Sequence, residues 1–347
     1  MIHRDRERGV VLLIVLFFAL LLVSSVATFT RRATVDAMIS RNRESASRAE
    51  ALARGGVRIA KALLRDDAVG NAEDGGGLDT AGDAWFRVRE ISIETDFGGI
   101  LRLRIDDAGS KLNLNALFDT GDGASDGGVE VLDEKTGFLL EELLDKVIDE
   151  MPGPPGEKFY DTGKLADSLI DWIDEDLEGQ TGGSENDYYQ QQNPPYVAAN
   201  RPLLSVDELR LIEGFDAKLV DAMHAYVTVY PFAGGGGINL NTAPPHVLAL
   251  LYYDDGVDLV LAGQKTVRRI LEARKDGGFI CPEEASGDGC TPIREIVINP
   301  IYPPPSFRSD VFSVRAEARV GDVRRVVTAV IDRSEVDSPQ VLSWLTR

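Results

Sequence analysis

The stretch that determines how this 347-residue chain folds is GVVLLIVLFFALLLVSSVATFT, residues 9–30. From Val10 onward it holds 21 residues without a charge, behind a short leader that contains Arg4, Arg6 and Arg8. About 20 apolar residues in a helix span the hydrocarbon core of a membrane. A secretory signal peptide has a shorter apolar core, followed by a small-residue cleavage site. The stretch therefore predicts a retained membrane helix, with the basic leader on the cytoplasmic side.

An Arg-Gly pair stands directly before the apolar run. This arrangement resembles the prepilin class, in which a membrane peptidase cuts after the glycine and the new N-terminus is methylated. The resemblance implies cleavage between Gly9 and Val10, so that Val10 becomes the first mature residue. The fifth mature position, usually Glu in pilins, is then Ile14. The alternative is an ordinary single-pass anchor, oriented by its basic leader alone.

Small and apolar residues recur at spacings of three and four beyond the span. They are Ala49, Leu52, Ala53, Gly56, Val57, Ala60, Leu63 and Leu64. This spacing is typical of an amphipathic helix, so we expect one continuous helix over residues 10–65. Such a helix would be roughly 84 Å long, which is far more than a membrane requires. Half of it should project from the membrane and pack against a globular head.

Strand-like alternation follows in two distant places. Leu101-Arg-Leu-Arg-Ile105 alternates apolar and charged residues. Residues 312–320 do the same, and a turn at Gly321-Asp322 connects them to residues 323–331. A period of two predicts strands with one buried face. Because the intervening pattern is mostly helical, we expect an α+β fold, with one antiparallel sheet packed on the N-terminal helix and a second domain looped out of that sheet.

Clusters of Gly, Pro and Asp mark the expected boundaries. Residues 66–83 form an acidic, Gly-rich connector without periodicity. The predicted parts are a leader over 1–9, a transmembrane and amphipathic helix over 10–65, the first part of the sheet over 84–108, an inserted helical domain over 109–305, the C-terminal strands of the sheet over 306–333 and a tail over 334–347.

A short phrase occurs twice inside the predicted insert. The two copies are Lys111-Leu-Asn-Leu-Asn-Ala-Leu117 and Ile238-Asn-Leu-Asn-Thr-Ala-Pro244. Each predicts an extended stretch that ends in an Asn or Thr able to cap a following helix. The repetition indicates that the insert contains two related helical subdomains.

The strongest chemical signal is the loop DEDLEGQTGGSE, residues 174–185. Matched to the calcium-loop pattern, it offers carboxylates at positions 1, 3, 5 and 12, a turn glycine at position 6 and a backbone carbonyl at position 7. These positions are held by Asp174, Asp176, Glu178, Glu185, Gly179 and Gln180. Carboxylates forced together repel one another, and a hard cation with six to eight oxygen ligands relieves the repulsion. The loop therefore predicts a calcium site, and the alternative is a solvated acidic turn.

The net charge of the chain limits the partners that it can bind. The formal net charge of −20 repels phosphate backbones and anionic headgroups, and it suits divalent cations or basic partners.

The two cysteines, Cys281 and Cys290, lie nine residues apart in a Gly-containing acidic loop. In an exported domain this spacing predicts a local disulfide, with two free thiols as the alternative.

Several motifs together resemble one family along nearly the whole chain. Beside the leader and apolar helix, they are Asp107-Ala-Gly-Ser-Lys-Leu-Asn-Leu-Asn115, residues 171–176 with 182–185, Tyr188-Tyr189, Asn200-Arg-Pro202 and Ile238-Asn-Leu-Asn-Thr-Ala243. In these motifs the chain resembles the minor pseudopilins K of type II secretion systems. The resemblance implies a type IV pilin-like fold with a large helical insert that binds calcium. It also implies an inner-membrane anchor and a periplasmic globular domain.

The same resemblance implies a set of partners and a role. The role is at the tip of the pseudopilus, where the chain would start assembly with the minor pseudopilins I and J and support protein export across the outer membrane. Prepilin peptidase and secreted proteins are further expected partners. In pilins the fifth-position Glu is thought to pair with the N-terminal amine of a neighbouring subunit. Ile14 cannot make that pair, which fits a cap better than a repeating unit.

Two other functions are compatible with parts of the sequence. One is a minor pilin of a type IV pilus or competence system, which would share the leader and the fold. The other is a membrane-anchored DNA-binding receptor, because residues 238–279 are similar to helix-hairpin-helix modules. That stretch lacks the Gly-x-Gly turn, and its basic residues are balanced by acidic ones, so we expect no nucleic-acid binding. We also expect no enzyme, because His3, His224 and His246 have no zinc-site spacing.

Overall fold

The computed structural model describes residues 4–73, 77–117, 134–152, 160–174, 177–180, 182–232, 237–283, 285, 287–297 and 299–347. Its helices are α1 (Arg4–Glu73), α2 (Ala84–Arg87), α3 (Glu134–Glu150), α4 (Thr162–Ile173), α5 (Asn186–Tyr189), α6 (Ala217–Met223), α7 (Pro245–Leu248), α8 (Gln264–Ala273) and α9 (Ile293–Ile296). Its strands are β1 (Ser92–Glu94), β2 (Gly99–Asp107), β3 (Leu112–Asn113), β4 (Val227–Thr228), β5 (Ile238–Asn239), β6 (Tyr252–Asp254), β7 (Leu259–Leu261), β8 (Phe279–Cys281), β9 (Cys290–Pro292), β10 (Pro305–Ser306), β11 (Val311–Val320), β12 (Val323–Asp332) and β13 (Gln340–Thr346). Short 3-10 helices lie at Val88–Glu90, Ala108–Ser110, Asn115–Leu117, Val206–Leu211 and Lys275–Gly277.

Helix α1 is one continuous helix of 70 residues. The part that starts at Val10 is long and apolar enough to cross a membrane, and its apolar side chains are exposed. Farther along, a stripe of small and apolar residues is buried against the sheet. The stripe consists of Ala49, Ala53, Val57, Ala60, Leu64 and Ala68. The predicted end at residue 65 is therefore wrong: the helix continues to Glu73, because Ala68 extends the buried stripe by one more turn.

Helix α1 packs on a five-stranded antiparallel sheet with strand order β1-β2-β11-β12-β13. Along the three central strands alternate residues point toward α1 and are buried. They are Leu101, Leu103, Ile105, Val314, Ala316, Ala318, Val327, Ala329 and Ile331. Gly56 allows α1 to approach β11 closely, since a Cβ at this position would lie 2.9 Å from the Cβ of Ala316. Helix, sheet and helical insert confirm the predicted α+β architecture.

Two details of the predicted sheet need correction. Residues 334–347, expected to be a tail, contain β13, which pairs with β12 at the edge of the sheet. Its sequence does not alternate, because every side chain of this edge strand is exposed. In the region assigned to the first strands, residues 84–87 instead form α2. This short helix buries Trp85 against the ring of Phe312, with 4.9 Å between ring centroids.

The insert leaves the sheet after β2 and returns to it at β11. Its two subdomains are each closed by a short parallel strand pair, β3 with β4 and β5 with β10. The first subdomain contains α3, α4, α5 and α6, and the second contains α7, α8 and α9 with the strand pairs β6-β7 and β8-β9. Buried residues of both subdomains belong to one hydrophobic cluster.

The repeated sequence phrase has the same structural role in both subdomains. The side chain of Asn115 accepts a hydrogen bond from the backbone N–H of Leu203 and donates to the carbonyl of the same residue. Asn241, its counterpart, makes the same pair of hydrogen bonds with the backbone of Ile280. Both Asn side chains are buried, and each satisfies a backbone segment that would otherwise have unpaired polar groups. The two phrases thus begin related subdomains.

A buried arginine joins α1, the sheet and the insert. Arg333, directly after β12, is fully buried. It forms ion pairs with Asp67 on α1, at 2.6 Å, and with Asp79 in the segment that follows α1. Its Nε also donates to the carbonyl of Ser309, where the chain returns from the insert, at 3.1 Å. Asp79 in turn accepts a hydrogen bond from the backbone N–H of Ser309, at 2.6 Å.

A second buried carboxylate lies next to this arginine centre. Asp107, the last residue of β2, accepts hydrogen bonds from the side chains of Asn239 and Thr242 in the second subdomain. Burial raises the pKa of Asp107, while hydrogen bonds from Ser309, Thr242, Gly109 and Asn239 act in the opposite direction. Strand β2, which leads into the insert, is therefore tied to the second subdomain by buried polar contacts.

Asp79 gives this junction a pH dependence. Burial raises the pKa of Asp79 to about 7, although the charge of Arg333 acts in the opposite direction. Because the folded-state pKa is above the unfolded value, this carboxyl contributes stability at low pH, and that contribution is lost as the pH rises through about 7. Above that pH the ionised carboxylate depends on Arg333 for neutralisation.

We predict that Arg333→Met destabilises the protein strongly at alkaline pH and less at acidic pH. Removing one partner of a buried ion pair leaves the other charge uncompensated, which costs about 3–5 kcal/mol. At about pH 5 the penalty should shrink, because a carboxyl with a raised pKa can take up a proton and become neutral. Thermal unfolding of both proteins across this pH range measures the difference.

The control for this experiment is Arg308→Met. Arg308 forms an ion pair with Asp310 at 3.5 Å, and both side chains are almost half exposed. Its loss should change the melting temperature little at any pH. A melting temperature of Arg333→Met equal to that of the control at alkaline pH would contradict the proposed role of Arg333.

Candidate metal centre

Helix α4 brings two carboxylates to the start of the acidic loop. Its first turn is capped by Asp161, whose side chain accepts a hydrogen bond from the N–H of Lys164 at 3.1 Å. Its apolar face is buried in the first subdomain. Asp171 and Asp174 lie three residues apart at its C-terminal end, where side chains at that spacing are neighbours. Negative charges at a helix C-terminus are unfavourable with respect to the helix dipole, so a cation there would be stabilising.

The loop after α4 folds back on itself and brings a third carboxylate to the helix end. Glu178 and Ser184 form an antiparallel bridge, and the N–H of Gly179 donates to the carbonyl of Gly183 at 3.1 Å. Gly182 and Gly183 have φ values of 83° and 100°, a conformation that favours glycine. The turn returns the chain to α4 at Glu185.

Three carboxylates converge at this point. One oxygen atom from each of Asp171, Asp174 and Glu185 lies within 4.8 Å of the other two. The carboxylate oxygens of Asp174 and Glu185 are shielded from solvent, and the Glu185 side chain is 6% exposed. Asp171 also accepts a hydrogen bond from the backbone N–H of Gln180 at 2.9 Å, which holds the loop against the helix.

This arrangement suits a hard divalent cation. Three carboxylates within a few ångströms repel one another, and burial removes the water that would otherwise stabilise their charges. Oxygen donors on a loop closed by glycine turns are the ligands that Ca²⁺ prefers. The residues present therefore fit a calcium ion, with Asp171, Asp174 and Glu185 as its protein ligands.

The structure brings together part of the ligand set predicted from sequence. It brings Asp174 and Glu185 together, as expected. Glu178 is exposed and lies outside the group of three carboxylates, and its backbone forms the bridge with Ser184. Gln180 is also exposed, and its backbone N–H binds Asp171. Asp176 lies outside the described residues.

The sequence prediction did not include Asp171 among the candidate ligands. Alignment to the twelve-residue calcium loop starts at Asp174, so a carboxylate that precedes the loop has no position in that pattern. The available signal was helical spacing: a residue three positions before a helix-terminal Asp shares its side of the helix. The centre is thus built from the end of a helix and the end of a loop.

Aromatic side chains fix the position of the loop. The ring of Trp172 packs edge-on against the ring of Tyr189 at 5.2 Å, and Tyr189 packs against Tyr196 at 5.4 Å. The indole N–H of Trp172 donates to the carboxylate of Glu208 at 3.2 Å. Burial raises the pKa of Tyr189, which therefore stays neutral. Trp172 lies next to Asp171 in the chain, so its fluorescence can report changes at the centre.

A second group of carboxylates occurs among the described residues, formed by Asp67, Asp79 and Asp83. Arg333 already forms ion pairs with two of them, so this group is part of the junction described above.

The remaining predicted site residues lie elsewhere. Cys281 and Cys290 are joined in a disulfide with a Cα–Cα distance of 5.8 Å, and they connect β8 to β9 in the second subdomain. Gly9 and Val10 lie inside α1, and Ile14 is half exposed on its apolar surface.

The chain is similar to one component of type II secretion systems. The family model for the first domain of type II secretion system protein K matches residues 110–232, which span the first subdomain. The type II secretion system protein K of Aeromonas hydrophila is 26% identical over 95% of this chain and 94% of its own length. The protein K of Pseudomonas aeruginosa is 27% identical over 98% of this chain and 93% of its own length.

A solved structure has the same fold. In the GspK-GspI-GspJ complex from the type 2 secretion system of enterotoxigenic Escherichia coli, one chain is 20% identical to this protein, with a TM-score of 0.60. The match covers 89% of this chain and 99% of that chain. The two chains therefore share one fold over the matched part. The family model and the relatives, which align with nearly the whole chain, together support type II secretion system protein K as its family.

Proposed function

We propose that this minor pseudopilin of type II secretion caps the distal end of the pseudopilus and is placed there before other subunits join. The observation that supports it is the position along α1 at which the insert joins the rest of the fold. Arg333, Asp67 and Ser309 form that junction near the C-terminal end of α1. From Thr30, the end of the apolar run, to Asp67 the helix rises roughly 55 Å at 1.5 Å per residue.

A junction at this end places the insert beyond the sheet on the side away from the membrane. A subunit stacked above this one would have to occupy the same space. Ile14 supports the same conclusion, because it has no carboxylate to neutralise the N-terminal amine of a neighbouring subunit inside the membrane. An uncompensated charge there costs at least about 2.5 kcal/mol. Both features support a cap and disfavour a repeating subunit.

We propose that the cap assembles with the minor pseudopilins I and J of the same organism. The solved relative GspK is in a complex with GspI and GspJ. In this chain α1 would be anchored in the inner membrane by residues 10–30, after cleavage by prepilin peptidase between Gly9 and Val10. The globular part would lie in the periplasm, where it supports the export of secreted proteins.

A structural role without catalysis is the proposal that the site chemistry supports best. In the candidate metal centre the carboxylate oxygens of Asp174 and Glu185 are shielded from solvent, which suits an ion that orders the loop. The structure also disfavours the DNA-binding alternative. One of the basic residues within residues 238–279, Arg274, makes a contact inside the fold. The guanidinium of Arg274 donates to the carbonyl of Ala243 at 2.7 Å, and burial lowers its pKa to about 10.

We further propose that Asp171, Asp174 and Glu185 hold a calcium ion. When bound, the ion would neutralise three carboxylates and link α4 to the end of the acidic loop. The bound ion would also hold Trp172 in place, since Trp172 follows Asp171 directly. Its contacts with Tyr189 and Glu208 would then be kept. The insert would gain order without any change in its secondary structure.

The calcium proposal predicts a rise in melting temperature with calcium that Asp174→Asn removes. Binding to the native state alone stabilises it by about 2.7 kcal/mol when the ion is a hundredfold above its dissociation constant. Asp174→Asn deletes one charged ligand and should abolish most of this rise. Differential scanning calorimetry with calcium and with chelator measures the rise, and Trp172 fluorescence reports occupancy.

Glu178→Gln is the matched control, because it removes one carboxylate of the same loop outside the group of three. The calcium effect should survive this change. If Glu178→Gln abolishes the effect as fully as Asp174→Asn, the ligand set is the one expected from the loop pattern alone. Identical melting curves of the unmodified protein with calcium and with chelator would contradict calcium binding.

The assembly proposal predicts that the full-length chain co-purifies with I and J from detergent. Ile59 lies on α1 beside the sheet and is 39% exposed, so we expect it to contribute to the contact. Ile59→Lys should weaken the complex, because it puts an uncompensated charge into an apolar contact.

Val257→Lys makes the same kind of change in the β6-β7 turn of the insert, where Val257 is 86% exposed. This control should leave the complex intact. If the unmodified full-length chain does not associate with I and J at micromolar concentration, the result would count against the assembly proposal.

A further inference from the structure

The face of the sheet that points away from α1 is rich in arginine. Residues of β2, β11 and β12 alternate between the buried face and this outer face. The outer face presents five arginines: Arg102, Arg104, Arg315, Arg319 and Arg324. The chain as a whole has a formal net charge of −20. On this face of the three central strands, five arginines are set against three carboxylates, Asp106, Glu317 and Asp332, which leaves a small local surplus of positive charge.

Four of the five arginines lie opposite another arginine on the neighbouring strand, whereas Arg102 lies opposite Glu317. Arg315 lies directly opposite Arg104 on the neighbouring strand, and Arg319 lies directly opposite Arg324. Like charges directly opposite each other in an antiparallel pair are unfavourable. A surface selected only for folding would alternate the signs of such pairs. Two opposed arginine pairs indicate that this face meets an anionic group.

The carboxylates on this face neutralise only part of its charge. Asp106 accepts a hydrogen bond from Arg104, and Glu317 accepts one from Arg324. The hydrogen bond from Arg324 and the charges of Arg324, Arg315 and Arg102 lower the pKa of Glu317. Glu317 is thus surrounded by cations. Glu94 and Asp332 lie on the strands toward the margins of the face.

A cleft on this face is large enough for carboxylate side chains. It has a volume of about 330 Å³ and is lined by Ile100, Arg102, Glu317, Arg319, Asp322 and Arg324. Guanidinium groups bind carboxylates through two parallel hydrogen bonds, which makes arginine better suited than lysine to recognise acidic side chains. Ile100 is 37% exposed and offers an apolar contact beside these groups.

The distance from the membrane decides which anion can reach this face. Leu52 of α1 packs beside Gly99, at the end of β2 nearest the membrane. From Thr30 to Leu52 the continuous helix rises roughly 33 Å. Electrostatic attraction in physiological salt decays over about 8 Å. Headgroups of the membrane that holds α1 are therefore out of range, whereas a neighbouring protein is not.

We propose that the outer face of the sheet is a docking surface for an acidic segment of another polypeptide, whose Asp and Glu side chains pair with Arg102, Arg315 and Arg319. The surface is separate from the metal centre and from the exposed side of α1 that carries Ile59. The proposal does not depend on the capping role, since any filament subunit or transported protein with such a segment could bind here.

The test uses the full-length protein in non-ionic detergent and a fluorescein-labelled peptide of glutamate residues as the probe. Fluorescence anisotropy at low ionic strength should show binding that weakens as salt is added. The triple variant Arg102→Gln, Arg315→Gln, Arg319→Gln should lose affinity by about tenfold or more, because three charge-assisted contacts are removed. Its melting temperature should stay equal or rise, since both opposed arginine pairs are relieved.

The matched control is Arg41→Gln, Arg43→Gln, Arg58→Gln, which removes the same charge from exposed positions on α1. It should keep the affinity of the unmodified protein. An equal loss of affinity in this control would overturn the proposal, because binding would then follow net charge alone. A lower melting temperature of the sheet variant would also overturn it, by showing that these arginines stabilise the fold.

Two competing ligands test whether the partner of this face is a polypeptide, a nucleic acid or a lipid surface. A DNA duplex and phosphatidylglycerol vesicles are each titrated against the protein and the two triple variants. We expect neither to bind more tightly than the peptide through the three sheet arginines. Tighter binding of either competitor that is lost in the sheet variant would overturn the assignment to an acidic polypeptide.

Discussion

The burial of Arg333 between Asp67 and Asp79 is the interaction on which the rest of the structure depends. It joins three segments that lie far apart in the sequence: the end of α1, the segment that follows α1 and the end of β12. Through Ser309 it also reaches the point where the chain returns from the insert. A buried charge is tolerated only with a close partner, so these segments have to meet in one arrangement. Helix, sheet and insert are thereby held in a fixed relation at the end of the helix away from the membrane.

Much of this arrangement could be predicted because its causes are local. Spacings of three and four gave the helix, alternation gave the central strands, and the repeated Asn phrase gave the two subdomains. The missing parts depend on contacts between distant residues. Asp67 looks like part of an acidic connector until Arg333, 266 positions later, is known to bind it. Asp171 precedes the calcium-loop pattern, and only the fold of the loop brings Glu185 to it.

The same physical problem recurs at the junction and at the metal centre. In each place the fold gathers carboxylates and removes them from water, which requires a compensating positive charge. At the junction the chain supplies that charge itself, through Arg333. At the centre formed by Asp171, Asp174 and Glu185 the fitting charge is a calcium ion, so the order of the insert would depend on an external supply. A junction neutralised from within and an insert that would be ordered by an ion together suit the proposed cap, which must be complete before a filament grows beneath it.

If this chain is a cap, one copy should lie at the distal end of each pseudopilus. Gold-labelled antibodies against the insert, applied to isolated pseudopili and viewed by electron microscopy, test this claim most directly. Because the insert occupies the space above α1, label should be found at one end of each filament only. Label distributed along the filaments would mean that the chain is incorporated as a repeating subunit, and the account based on the position of the insert would be wrong.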